Sequence, residues 1–196
     1  MSLRVAILDS SSDVLTAIPW DEPGVEFWAS VALRRRHPQL SDRVDCWFGL
    51  QPGIERLNPE WFGWALETQP RCFLRDRHGD LTRSLPYPME IVAERFGSYF
   101  TSAAAYMLAL AVEQGAEWIG LYGVDMAIHG QYLHQRACCE YLVGMARGMG
   151  AEVEIPGETP TLRVRCSDTY ESSRAQEQDW CFVPDVTGYM KREGTA

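Results

Sequence analysis

Short apolar runs alternate with longer, helix-forming segments along most of the chain. The apolar runs predict six strands, at Arg4–Leu8, Val25–Ala29, Val44–Phe48, Cys72–Leu74, Trp118–Tyr122 and Glu152–Ile155. Helices are predicted at about residues 11–18, 58–68, 88–96, 102–114 and 135–149. Such alternation is typical of a largely parallel sheet with helices on both faces. The pattern therefore predicts an α/β fold with a mostly parallel sheet of about six strands.

The segment Ser102–Asp125 is the clearest unit of this pattern. It begins with strong helix formers that are apolar nearly all round, preceded by the capping pair Thr101 and Ser102. A helix of this kind is buried rather than amphipathic, so we expect it to pack against the centre of the sheet. It leads into the apolar strand Trp118–Tyr122, whose carboxyl end opens into a loop at Asp125. This arrangement is Rossmann-like.

The length and composition suit a single domain. With 196 residues, of which 46% are hydrophobic, the chain can bury one core. We predict a Rossmann-like α/β domain over residues 1–158. Residues 159–196 are polar and short on periodicity. They are interpreted as a tail that forms a lid, a dimer arm of a homo-oligomer, or a disordered segment.

Charge and composition exclude several classes of protein. The formal net charge of −9 argues against nucleic acid as a main partner, because sequence-independent binding to phosphate backbones needs many Lys and Arg contacts. The N-terminal apolar run is too short for a signal peptide, and no run approaches the ~18 apolar residues that span a bilayer. We therefore expect a cytoplasmic protein with no membrane span. The six cysteines form no CxxC pair and are interpreted as reduced, structural residues: Cys46, Cys72, Cys138, Cys139, Cys166 and Cys181.

Ligands of open α/β sheets bind beyond the carboxyl ends of the strands, so the loops there are the first candidates for a site. The loop after the first strand carries Ser10, Ser11 and Ser12, which could hold a phosphate at a helix N-terminus. Asp9 and Asp13 flank these serines and would repel an anion. The alternative is a helix cap without a ligand.

Two further candidates follow from the Ser102–Asp125 unit. Thr101 and Ser102 stand at the amino end of the buried helix, where hydroxyls and free N–H groups suit a phosphate or a ribose. Asp125 follows a central strand and could accept ribose or sugar hydroxyls or help to hold a metal. The alternatives are a capping pair for the first candidate and a structural turn for the second.

The segment from His129 to Arg136 is polar and is interpreted as a loop. His134 is a candidate general base for activating a sugar hydroxyl, because an imidazole titrates near neutral pH. Arg136 is a candidate partner for phosphate oxygens. The alternative is that the histidine is merely exposed.

Other motifs give weaker indications. Residues 76–80 alternate Asp, His and Asp in the manner of metal ligands, but they are interpreted as a charged turn, and no metal site is predicted. The chain contains no GxGxxG, Walker, HExxH or GxSxG motif.

The residues from 99 to 156 resemble the core of a known enzyme family. The segments concerned are Phe100–Ala111, Gly115–Asp125, Glu140–Leu142 and Val153–Pro156, and together they are similar to bacterial lipooligosaccharide sialyltransferases. A similar pattern occurs in bacteriophage proteins and, more distantly, in the Rossmann-like hydroxymethylpterin pyrophosphokinase group.

The resemblance implies binding of a cytidine nucleotide sugar with no obligatory metal or other cofactor. It implies that Thr101 and Ser102 contact the nucleotide, that Asp125 lies beside the ligand, and that His134 stands near the catalytic base. The chain departs from the family where Asp9 begins a loop without glycines, and at Ala103, which replaces a glycine. The family's Asn after the second strand is also absent.

Two hypotheses of different classes follow. The first is a nucleotide- or nucleotide-sugar-binding protein that acts as a glycosyltransferase by direct displacement at the anomeric carbon. The second is a non-catalytic Rossmann-like protein of phage origin that binds a ligand or serves in assembly. The altered first loop favours the second hypothesis, and the retained Thr101 and Ser102 favour a small nucleotide ligand under either.

Overall fold

The computed structural model describes residues 2–9, 17–124 and 132–156. Its centre is one sheet of seven strands in the order β5-β4-β3-β2-β1-β6-β7, and every pair of neighbours is parallel. The strands are β1 (Leu3–Leu8), β2 (Val25–Ser30), β3 (Cys46–Gly49), β4 (Cys72–Leu74), β5 (Ser84–Pro86), β6 (Ala116–Tyr122) and β7 (Glu152–Glu154).

Six α-helices and one 3₁₀ helix connect these strands within the described residues. They are α1 (Val31–Arg36), α2 (Ile54–Leu57), α3 (Pro59–Thr68), α4 (Met89–Phe96), α5 (Ala103–Glu113), α6 (Tyr132–Gly148) and the 3₁₀ helix Pro38–Arg43. None of the helices in this part of the chain is both long and apolar enough to cross a membrane.

The strand order reverses direction beside β1. From β1 to β5 each strand is added on one side of its predecessor, and β6 then lies on the other side of β1. The register across this point pairs Ile7 of β1 with both Trp28 of β2 and Leu121 of β6. A reversal of this kind leaves a crevice at the carboxyl ends of the strands, where α/β proteins bind ligands.

Helices cover both faces of the sheet. On one face α5 packs across β1, β2, β3 and β6, with α4 and α6 beside it. Eight of its eleven residues are buried, which confirms the expectation that this apolar helix lies against the centre of the sheet. On the other face, residues of α1 and α3 pack against an aromatic cluster that includes Trp47 and Trp61.

The Rossmann-like α/β fold predicted from the sequence is confirmed, with one strand more than expected. The additional strand, β5, has three residues of which Leu85 and Pro86 are exposed. An edge strand this short has no apolar run, and proline is tolerated there because one side makes no ladder hydrogen bonds. The pattern of apolar residues could not detect it.

The helices α1 and α2 were not predicted, since six and four residues are too short for a helical period to show. Arg34, Arg35 and Arg36 form the last turn of α1, where positive charge suits the negative end of the helix dipole. The interpretation of His129–Arg136 as a loop is wrong for its second half. Residues 132–136 form the first turns of α6, because the helical pattern extends three residues before the predicted start.

Candidate ligand-binding cleft

A cleft of about 430 Å³ opens at the carboxyl ends of β1, β2 and β3. The starts of α1 and α5 flank it from the two faces of the sheet, and α6 contributes Gln135. Small-molecule sites typically occupy ~300–1,000 Å³, so the volume suits a ligand of that class. The other polar lining side chains include Asp9, Ser30, Gln51, Asn58, Thr101 and Ser102.

Asp9 and Ser30 form the floor of the cleft on the strand side. Asp9 directly follows β1, and its backbone N–H donates to the carbonyl of Tyr122 at 2.9 Å, which fixes the position of the residue between β1 and β6. The Ser30 hydroxyl, at the end of β2, donates to Asp9 Oδ1 at 3.2 Å. The Ser30 hydroxyl thus orients the carboxylate.

The amino end of α5 forms the other side of the cleft. Ser102 is the N-cap, and its Oγ accepts the backbone N–H of Ala105 at 3.2 Å. The N–H groups of Ala103 and Ala104 have no acceptor within the helix, because the first N–H groups of any helix lack one. Ala103 lines the cleft together with Thr101. The sequence reasoning that placed Thr101 and Ser102 at a helix start is therefore confirmed in position.

An aromatic pair closes the cleft beside α5. The rings of Phe100 and Tyr106 are stacked with centroids 4.8 Å apart, and both residues line the cleft. Tyr87 donates its hydroxyl to the Tyr106 carbonyl at 2.9 Å and holds that turn of the helix. Burial raises the pKa of Tyr106, the nearby Cys138 acts in the same direction, and Arg75 lowers it. The Tyr106 hydroxyl is therefore a neutral hydrogen-bonding group at physiological pH.

Buried thiols lie behind the cleft and at the opposite end of the sheet. Cys139 Sγ lies 3.7 Å from Ser102 Oγ, and burial raises its pKa to about 12 against the opposing effect of that contact. Burial likewise raises the pKa of Cys46 to about 12 and that of Cys72 to about 11. Four cysteines of the described residues are free and buried, as expected for structural residues. Cys166 and Cys181 lie outside the described residues.

The charge lining the cleft is negative. Asp9 is the one carboxylate among the described lining residues, and none of those residues is Lys or Arg. The remaining polar groups are hydroxyls and side-chain amides. Among the described residues, no three His, Cys, Asp or Glu side chains cluster in a way that could hold a metal ion.

Arg136, predicted to pair with phosphate oxygens, is buried in the first turns of α6. Its Nε donates to Glu140 Oε1 at 2.7 Å, one helical turn on. Its Nη2 is buried and has no hydrogen-bond partner in the described part of the protein. The neighbouring Gln135 lines the cleft, whereas Arg136 does not. Its charge is therefore balanced by Glu140 rather than presented to the cleft.

Most of the other predicted site residues lie outside the part of the chain that the structure describes. Ser10, Ser11, Ser12 and Asp125 lie outside the described residues. His134 lies in the first turn of α6, immediately before Gln135, and only its place in the helix is described.

Several lining residues were missed by the sequence reasoning. Ser30 is the last residue of β2 and Gln51 follows β3, so applying the carboxyl-end rule to every strand would have found them. Asn58 lies in the short link between α2 and α3, and no sequence signal connects it with β1. Tyr106 lies within the first turns of α5 and lines the cleft. Its neighbours in the sequence are apolar, so the pattern gave no sign that it faces a cleft.

Comparison with known proteins identifies no matching family model, no matching curated protein and no matching solved structure.

Proposed function

We propose that this protein binds a nucleotide or a nucleotide sugar in the cleft at the carboxyl ends of β1, β2 and β3. The observation that carries the proposal is the placing of the Asp9–Ser30 pair opposite the amino end of α5 around one volume of about 430 Å³. The first element suits hydroxyls, and the second suits an anion. A nucleotide sugar contains both kinds of group in one molecule.

The Asp9 carboxylate is the proposed acceptor for ribose or sugar hydroxyls. A carboxylate can accept more than one hydrogen bond at each oxygen, and the Ser30 hydroxyl donates to Oδ1 of this one. Hydrogen bonds to a charged group contribute about 1.5–3 kcal/mol. Loss of this interaction should therefore weaken binding about tenfold or more.

The amino end of α5 is the proposed contact for a phosphate. The N–H groups of Ala103 and Ala104 lie at the positive end of the helix dipole, and Thr101 directly precedes the N-cap Ser102. Asp9 repels an anion, so the phosphate belongs on the α5 side of the cleft and the hydroxyls on the strand side. The stacked rings of Phe100 and Tyr106 offer an apolar surface next to both.

Calorimetric titration with a panel of cytidine, uridine, guanosine and adenosine nucleotides, each compared with its nucleoside, tests the proposal. We expect saturable binding of at least one nucleotide, and weaker binding of its nucleoside because the phosphate contact is missing. Asp9→Asn should weaken the nucleotide at least tenfold, and Asp42→Asn, at an exposed site on the 3₁₀ helix, should not. Absence of binding by the whole panel would exclude the proposal.

Glycosyl transfer is a second candidate, because a carboxylate and the amino end of a helix line the same cleft. In such a reaction the acceptor hydroxyl would lose its proton to Asp9 or His134, and the leaving nucleotide phosphate would be stabilised at α5. Release of free nucleotide from a bound nucleotide sugar, monitored by ³¹P NMR with and without saccharide acceptors, distinguishes transfer from binding alone. Binding without release would favour the non-catalytic alternative.

A further inference from the structure

A second, smaller compartment continues the cleft along the same edge of the sheet. It has a volume of about 180 Å³ and lies at the carboxyl ends of β3 and β4. Gly49 and Gln51 line both compartments, so the two share a wall. Water occupies ~30 Å³ in the liquid, so the second compartment has room for a group several times that size.

Basic side chains distinguish this compartment from the main cleft. Arg75 and Arg77, which follow β4, line it together with His78. Neither arginine forms an ion pair within the described residues, whereas Arg4, Arg71 and other arginines of the fold do. The positive charge of Arg75 also acts to lower the pKa of the Tyr106 hydroxyl at the main cleft.

The loop that carries these groups is held in place by buried anchors. The backbone N–H of His78 donates to Ser84 Oγ at 3.2 Å, and the Ser84 hydroxyl in turn donates to the Leu81 carbonyl at 2.7 Å. Ser84 and Leu81 are both buried. These contacts hold the backbone of the predicted charged turn, while the side chains of Arg75 and Arg77 are exposed.

The ring of His78 is held in one orientation. Its Nδ1 accepts the backbone N–H of Asp80 at 3.3 Å, which leaves Nε2 to donate. The ring packs edge-on against Phe62 with centroids 4.9 Å apart. The side chain thus offers one N–H from a fixed ring.

Two carboxylates, Glu55 and Asp76, also line the compartment and balance the formal charge of the two arginines. Selectivity must therefore come from geometry rather than from net charge. Guanidinium groups present paired N–H donors that match the two oxygens of a carboxylate or phosphate. Free Arg75 and Arg77 are such donors.

We infer that this compartment is an anion subsite, in which Arg75, Arg77 and His78 bind a second phosphate or a carboxylate of the ligand. That the same ligand spans both compartments rests on the proposed function. The main cleft has no Lys or Arg among its described lining residues, so a second anionic group finds its cations here.

Nitrogen-15 NMR of the arginine Nε and histidine Nε2 resonances tests this inference, with inorganic phosphate and glucuronate as separate probes. We expect saturable shifts at Arg75, Arg77 and His78 with at least one probe, and the preferred probe identifies phosphate or carboxylate as the group bound. Arg75→Gln with Arg77→Gln should weaken that binding at least tenfold. Asp76→Asn should strengthen anion binding two- to fivefold, because it removes a negative charge that repels the anion.

Arg83 provides the control, because it is exposed on the same segment but lines neither compartment. Arg83→Gln should leave phosphate binding unchanged. Shifts of equal size at Arg83, or no saturable shift with either probe, would overturn the subsite. The two proposals fail separately: nucleotide binding without anion binding removes only the subsite, and anion binding without nucleotide binding removes only the proposed function.

Discussion

The two ends of the sheet use polar residues in opposite ways. At the amino end, Glu26 accepts the Trp28 indole N–H at 2.9 Å and the Arg71 guanidinium at 3.1 Å. Asp45 there accepts the backbone N–H of Phe27 at 2.8 Å. At the carboxyl end, the polar side chains surround a cleft. Of these, Asp9 accepts the hydroxyl of Ser30 at 3.2 Å.

The difference separates stabilising residues from candidate functional ones. A buried polar group costs free energy unless it is hydrogen-bonded, and the amino-end network meets that requirement within the protein. A set of hydroxyls, amides and a carboxylate that faces an open volume has capacity left for a ligand. We therefore expect substitutions at the amino end to change the free energy of unfolding and those at the carboxyl end to change ligand binding.

The largest effect on folding should come from Trp28→Ala. Trp28 is completely buried on β2, and its ring packs against Phe48 with centroids 5.3 Å apart and an interplanar angle of 35°. Removing a buried aromatic side chain costs about 3–5 kcal/mol through lost contacts and the cavity that remains. Urea denaturation measures this loss. A change below about 1 kcal/mol would mean that the core relaxes around the site.

A smaller effect should come from Glu26→Ala. This change leaves the buried Trp28 N–H without its acceptor and Arg71 without its counter-ion, and we expect a loss of about 1–2 kcal/mol in the free energy of unfolding. Glu117→Ala, at an exposed position of β6, is the matched control and should change it by less than about 0.5 kcal/mol. Nucleotide affinity should not change in either variant.

Asp9→Asn should change nucleotide affinity rather than the free energy of unfolding. The asparagine side chain keeps an acceptor for the Ser30 hydroxyl, so the free energy of unfolding should change by less than about 1 kcal/mol. The loss should instead appear in nucleotide affinity. If Asp9→Asn destabilised the fold as much as Glu26→Ala while binding stayed intact, the division between the two ends would be wrong.

The smallest expected effect is on the ionisation and alkylation of two buried thiols, one at each end of the sheet. Cys46 lies beside the Glu26 and Arg71 network, and Cys139 lies beside Ser102 at the cleft. Both have a pKa of about 12, against ~8.5 for an exposed thiol, so neither forms appreciable thiolate at pH 8 without opening of the fold.

Their raised pKa values give the expected pH dependence. Each thiol stays protonated below about pH 8.5 in both states, and stability should fall as the pH rises from there towards 12, because only the unfolded chain ionises. In alkylation at pH 8 resolved by mass spectrometry, a saturating nucleotide should slow Cys139 several-fold more than Cys46. Equal protection of both would indicate global stabilisation and no local effect at the cleft.

The fold was more accessible to sequence reasoning than the site. The six predicted strands have apolar runs because parallel strands are buried on both faces, and all six are present. The buried helix α5 and its N-cap Ser102, one of the two predicted capping residues, followed from local composition. The edge strand β5 and the short helices did not, since their few residues carry no period.

The cleft depends on contacts that no local pattern contains. Ser30 and Asp9 are 21 residues apart and meet because β1 and β2 are neighbours in the sheet. Arg136 has the positive charge expected of a residue that binds phosphate. However, it forms an ion pair with Glu140, one turn along α6. The position of a side chain relative to its counter-ion is a property of the tertiary structure, and a single sequence leaves it open.

Amide chemical-shift mapping tests the central claim most directly, with cytidine monophosphate as the first probe and the other nucleotides of the panel after it. We expect saturable shifts at Asp9, Ser30 and the first turn of α5, with no comparable change at the amino-end residues Glu26 and Asp45. Shifts confined to the amino end, or no saturable shift with any nucleotide, would contradict it.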